Sequence, residues 1–235
     1  MLPSAFYNIF GVKHSTAQKI NQYAKFNIQK LILLSLFYLP NIEYMALLCK
    51  EKIVSIEAQE NFVKSSFRNR CEIAGANGIM TLSIPVKGGR DHHQKLAIVK
   101  ISNQNNWQAQ HWQSIVSAYG SAPFFEHYEH HFKGFYEKEI DSLFEFNFSL
   151  LKLLLKLLKV NTELTFTELY ERNSEGIVDK RNSFSLKNKE VNHPTYIQVF
   201  EPKNGFISNM SVLDLLFNCG PEAKGYLQNL QSTRR

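Results

Sequence analysis

The sequence predicts an α/β fold, a single domain whose partly parallel sheet is covered by helices. Three observations predict it. Two short apolar runs flank a helical pattern around residue 40, an Asn-Gly pair separates two β-type runs near residue 77, and amphipathic helical patterns fill the middle of the chain. With 235 residues, 44% of them hydrophobic and only 20% charged, the chain has enough apolar surface to offset its conformational entropy around one core.

In chain order, Leu31 to Phe37 (LILLSLF) reads as a strand that ends before Pro40, and Asn41 stands where a helix N-cap belongs. Lys52 to Ile56 is again apolar and β-branched. The resulting β-α-β order implies two parallel strands, and ligand sites in such units lie at the carboxyl ends, here Phe37 to Asn41 and Glu57 to Asn61. Phe67 to Ile73 and Ile79 to Ile84 flank Gly75-Ala76-Asn77-Gly78 and form a hairpin that extends the sheet. Strand alternation within the first of these places Arg68 and Arg70 on one face, and Phe67, Cys71 and Ile73 on the other.

Trp107 to Tyr119 carries Trp112, Ile115, Val116 and Tyr119 at helical spacing and stops at Gly120 and Pro123. A longer helix runs from about Ile140 to Val160, with Ser142 and Glu145 spaced as a capping box. Its run LLKLLLKLLKV places Lys152, Lys156 and Lys159 on one face, so it is an amphipathic helix and not a membrane span. Thr162 to Tyr170 alternates as a strand, Glu171 to Asn192 reads as a surface loop, Tyr196 to Phe200 as a further strand, and Ser211 to Asn218 as a short helix closed by Gly220-Pro221. Residues 1–30 lack the continuous apolar core of a secretory signal and read as an extension outside the domain of residues 31–235.

The net charge of +6 favours anionic partners, but its scatter does not point to nucleic acid. Cys49, Cys71 and Cys219 are odd in number and widely spaced without a CxxC pair, which argues against a disulfide framework or zinc ribbon and implies a reducing, cytoplasmic compartment. No nucleotide P-loop or serine elbow is present, and no cofactor is expected.

Five constellations have chemical potential. Lys64, Arg68, Asn69 and Arg70 form a basic cluster just beyond the second strand, where guanidinium forks match phosphate or carboxylate; the alternative is a solvated strand face. Val86-Lys87-Gly88-Gly89-Arg90 offers either an anion-binding backbone nest or a solvated glycine loop. His111 falls at the edge of its helix's apolar stripe, half-buried, as a general acid or base facing a cleft or as a satisfied core histidine. His127 and His131 sit one helical turn apart without a third metal ligand, and His92 and His93 add nothing firm. Cys71 follows Arg70, yet alternation turns it towards the core, so it is a core thiol before it is a nucleophile.

Several separated segments carry a family resemblance: Phe37-Tyr38-Leu39-Pro40, the block Glu60 to Cys71 (ENFVKSSFRNRC), Leu82 to Val86, and Trp107 with His111-Trp112 through Tyr119 to Pro123-Phe124-Phe125. Together they resemble the WbqC-like family of bacterial proteins. Tyr196-Gln198-Phe200 and Asp214 to Asn218 look like the C-terminal part of a Bacteroidetes-type branch. The resemblance implies a role in O-antigen or related surface-polysaccharide biosynthesis, with glycine or a similar acyl group transferred to an amino sugar. It places motif positions at Lys64, Asn69, Arg70, His111 and Tyr119. This chain departs from the family at Ser35-Leu36, where a Gln-Pro pair is common, and at Ala58-Gln59, where an acidic pair is common. The combined expectation is an acyl or aminoacyl transferase in which Lys64, Arg68, Asn69, Arg70 and Tyr119 bind a nucleotide sugar or similar anion and His111 is the base. A non-catalytic binder of the same anion is the alternative.

Overall fold

The computed structural model describes residues 31–88, 94–170, 176–185 and 193–230. The expected N-terminal extension, Gly89 and Arg90 of the glycine loop, and His92 and His93 lie outside these residues.

A four-stranded parallel sheet forms the centre. Strand β1 is Leu31–Ser35, β2 Ile53–Glu57, β5 Glu163–Phe166 and β6 Ile177–Asp179, in the order β5-β2-β1-β6. Strands β1 and β2 are buried along nearly their whole length, which is why both read as continuous apolar runs instead of alternating ones. The crossover between them is helix α1, Ile42–Lys50, whose N-cap Asn41 accepts from the Tyr44 amide through Oδ1 at 3.1 Å.

The hairpin is β3, Arg70–Gly75, and β4, Gly78–Ser83. It forms a separate two-stranded sheet and does not extend the parallel one. Its inner strand is occupied elsewhere: the Glu72 carbonyl accepts from Ser211 N at 2.7 Å, and Ala74 N donates to the Tyr119 hydroxyl at 3.2 Å. The loop residues are Ala76-Asn77, and it is Gly78, at φ 95°, that takes the left-handed conformation.

Helices α2 (Trp107–Tyr119), α3 (Phe125–Tyr136) and α4 (Leu143–Leu157) follow. The bounds of α2 are those its periodicity predicts. Ser142 caps α4 by accepting from Glu145 N at 3.2 Å, and Lys152, Lys156 and Lys159 are exposed while its leucines enter the core. No described helix is long and apolar enough to cross a membrane.

The C-terminal part corrects two expectations. Tyr196 to Phe200 is not a strand; it is irregular backbone leading into α5, Glu201–Asn204. Glu171 to Asn192 is not simply surface loop, because its described part contains β6 and the buried Arg181. Helices α6, Val212–Cys219, and α7, Ala223–Asn229, close the chain, and Val212 N donates to the Pro40 carbonyl. One hydrophobic cluster runs from Ile32 to Leu230.

Candidate functional site

The carboxyl edge of the parallel sheet holds a buried charged network. Ser35 ends β1, Glu57 ends β2, and both are fully buried. Glu60, three residues past β2, receives Arg68 Nε at 2.8 Å and also Arg68 Nη2, which reaches Ser35 Oγ at 2.8 Å. Glu57 receives Arg181 Nη1 at 3.0 Å, the Thr167 hydroxyl, and Gln59 N at 2.7 Å. Burial pushes the Glu57 carboxyl up, against the hydrogen bonds from Thr167 and Gln59 and the Arg181 charge. Arg181 also binds Asp179, at 2.7 Å to Oδ2, and lies 4.7 Å from the centre of the Tyr170 ring. Two guanidiniums paired with three carboxylates therefore tie β1, β2, β6 and the chain after β5 together.

This placement separates the expected basic cluster. Arg68 lies in a turn before β3 opens at Arg70, so strand alternation does not apply to it. It turns inward to Glu60 and is 5% exposed, whereas Arg70 donates through Nε to Ser83 Oγ at 3.3 Å on the exposed side. Lys64 is exposed. Asn69 is buried and donates through Nδ2 to the Ile84 carbonyl at 3.0 Å. Arg68 and Arg70 do not point together.

Three of the expected residues do converge, on Ser83 and Ile84. Arg70 and Asn69 reach them as described, and the imidazole of His111 meets the Ser83 backbone. His111 is buried at 6% exposure and not half-buried, because Trp107, one turn earlier, packs edge-on to it at 5.0 Å and Tyr38 stacks at 5.7 Å. Burial lowers its pKa to about 4, opposed by the Ser83 contact. His111 Nδ1 lies 3.0 Å from the Tyr38 hydroxyl, and in the tautomer that turns its ring N–H to the Ser83 backbone Nδ1 is the acceptor of that contact. The Tyr38 hydroxyl meets that of Tyr136 at 2.9 Å. Burial and then Tyr136 push the Tyr38 hydroxyl well above its usual range, so it stays protonated.

Tyr119 belongs to a different cluster. It is fully buried and faces Asp214, whose Oδ2 accepts from Tyr196 and from Gln198 Nε2 at 2.7 Å. Burial raises Asp214 to about 6, and Tyr196, Gln198 and Tyr119 hold it from rising further. Cys71 is a core thiol pushed well up by burial, as alternation implies. His127 is exposed on α3, one turn from His131, and among the described residues no group of three His, Cys, Asp or Glu side chains is arranged to hold a metal ion.

An open pocket of about 320 Å³ lies at the amino end of α2. Asn103, Asn105, Asn106 and Gln108 line one side, and Tyr136 with residues 137–139 the other. Tyr136 is thus both pocket wall and the end of the hydrogen-bonded line to His111.

A model of the WbqC-like protein family matches residues 37–181 and 179–226, which include the His111 line, the Asp214 cluster and the charged edge apart from Ser35. The chain belongs to the WbqC-like family. It is also 24% identical over 228 residues to the uncharacterised protein Rv1507c of Mycobacterium tuberculosis, covering 86% of this chain and 98% of the relative. No solved structure matches it significantly.

Within this WbqC-like protein, Ser35 and the pair Ala58-Gln59 both stand at the charged edge of the sheet. The pair Ala58-Gln59 is bracketed by Glu57 and Glu60, so two acidic side chains stand at the end of β2, one on each flank of the non-acidic pair. Ser35 at the end of β1 is a hydrogen-bonding hub for Arg68, Glu60 and the Arg181 carbonyl. Sequence reasoning missed Glu57, Glu60 and Arg181 as a set. The first two carried a signal, being acids at a parallel strand's carboxyl end; Arg181, 124 residues from its partner Glu57, carried none.

Proposed function

We propose that this WbqC-like protein acts in the cytoplasm in surface-polysaccharide assembly, transferring an acyl or aminoacyl group to the amine of an amino sugar or nucleotide sugar. The observation that carries this reading is the line Ser83–His111–Tyr38–Tyr136, which joins a neutral imidazole to the wall of an open pocket. A pKa of about 4 keeps His111 in the basic form at neutral pH. As the amine attacks the acyl carbon, its proton passes to Tyr136, the Tyr136 proton to Tyr38 and the Tyr38 proton to His111 Nδ1. The resulting imidazolium is acidic enough to return a proton to the departing group. Lys64 and Arg70 are the outward cations available to an anionic donor, while Arg68 braces the sheet edge behind them. The three thiols Cys49, Cys71 and Cys219 are unpaired, in keeping with a reducing compartment.

The test is a mass-spectrometric transfer assay with nucleotide-linked amino sugars and a panel of aminoacyl and acyl donors. His111→Gln is expected to lower kcat by about a hundredfold or more while leaving the sugar-nucleotide affinity in place. Undiminished turnover in that variant removes His111 from the mechanism. One observation favours a second reading, a non-catalytic binder: both ring nitrogens of His111 are engaged and the side chain is away from solvent. On that reading a nucleotide sugar still raises the Tm but no donor gives product.

A further inference from the structure

The pocket at the amino end of α2 is built from chemistry that the motif residues do not supply. Its lining is dominated by side-chain amides, from Asn103 to Asn106 and at Gln108. A primary amide presents a carbonyl acceptor beside two N–H donors, which is the complement of neighbouring hydroxyls that each donate once and accept once. Two of these amides are already oriented: Asn103 Oδ1 accepts from Gln108 Nε2 and from Trp107 Nε1, both at 3.2 Å, and Gln108 is buried. The charged lining is Glu137, Lys138 and Glu139, and Glu137 is 3.8 Å from Lys133 outside the lining, which leaves Glu139 as the carboxylate facing a ligand. A phosphate or carboxylate meets no cationic cradle here; an ammonium group is attracted.

We infer that this pocket is a sugar-ring subsite selective for hexosamines, with hydroxyls held by the amides and the amine turned towards Glu139. Its volume of about 320 Å³ lies at the small end of ligand pockets, ~300–1,000 Å³, which suits one sugar ring and not a whole sugar nucleotide. Tyr136 is among the lining residues and, through Tyr38, gives the connection to His111. The inference deepens the transfer reading by assigning the acceptor's ring, but binding here does not depend on turnover.

Saturation-transfer NMR on the full chain tests it, using glucose, galactose and mannose, their 2-amino counterparts, and UMP as an anion control. At least one hexosamine is expected to receive saturation, more strongly than its parent hexose and with an advantage that shrinks as salt rises. Gln104→Leu combined with Asn106→Leu alters two exposed positions and is expected to keep the wild-type Tm while weakening the sugar by about tenfold, the loss of one or two hydrogen bonds. The inference is overturned if no sugar of the panel binds, if the double variant binds as well as wild type, or if UMP displaces the sugar at low salt. Sugar binding lost in the variant but no transfer with any donor sinks the transfer reading and leaves the subsite standing. Transfer that survives the double variant unchanged sinks the subsite and leaves the reaction standing.

Discussion

Two buried side chains give the stability of this protein opposing pH dependences. His111 titrates near 4 when folded against an ordinary 6.5, so its contribution is complete above about pH 6.5 and is lost as the pH falls through about 4. Asp214 titrates near 6 against an ordinary 3.8, so its contribution is complete below about pH 3.8 and is lost as the pH rises through about 6. Each amounts to roughly 3 kcal/mol at its limit. A series of Tm measurements from pH 4 to pH 8 should therefore show His111→Gln losing less stability than wild type on the acid side, and Asp214→Asn losing less towards neutrality. An unchanged acid limb in His111→Gln would mean that the imidazole is not the buried neutral group described. A third residue, Gly220, is held by backbone and neighbour together. Its φ is 51°, and a Cβ there would stand 2.5 Å from the Phe124 ring. Gly220→Ala combines left-handed strain with overpacking, so urea denaturation should show a loss of about 2–4 kcal/mol.

At the scale of elements, β6 is only three residues long, pairs with β1, and is tied to the end of β2 through Arg181, two residues beyond it. Arg181→Met leaves Glu57 buried without its cation, an expected loss of about 3–5 kcal/mol; adding Glu57→Gln should recover part of it. If the single and double variants have the same denaturation midpoint, the pair is not what fixes β6. The same strand shows why the sequence was an incomplete guide. The caps at Asn41 and Ser142 and the span of α2 were legible because each depends on residues within one or two turns. Ile177-Val178-Asp179 has no periodicity of its own, and its partner strand begins at Leu31. Tyr196 to Phe200 erred in the other direction: its alternation looks like a strand, yet Tyr196 and Gln198 turn to the Asp214 carboxyl instead of pairing with a neighbour. The candidate site was half legible for the same reason. Asn69, Arg70 and His111 meet around Ser83 and Ile84, but the inward turn of Arg68 depends on Glu60 and Ser35, which only the closed sheet brings near it.

Across the whole molecule, the distribution of charge decides which cations are available to a ligand. The chain carries a formal +6, yet Arg68 and Arg181 are buried against Glu60, Glu57 and Asp179 and contribute little field outside. Attraction for an anionic donor must come from outward groups such as Lys64 and Arg70, whose effect is screened over a Debye length of about 8 Å at physiological salt. The two arginines of the Glu60 to Cys71 block should then separate cleanly by experiment. Arg68→Met strands the Glu60 carboxylate in the interior, so its Tm should fall sharply, matching a loss of about 3–5 kcal/mol. Nucleotide-sugar affinity, measured well below that Tm, should hold in this variant. Arg70→Ala removes a side chain that hydrogen-bonds an exposed Ser83, so its Tm should stay near wild type while calorimetry shows weaker nucleotide-sugar binding with a shallower dependence on salt. Unchanged binding in Arg70→Ala ends the role of that side chain as an anion ligand. Weakened binding with unchanged Tm in Arg68→Met would show instead that Arg68 leaves Glu60 to meet the ligand, and that the carboxyl edge of the sheet opens on binding.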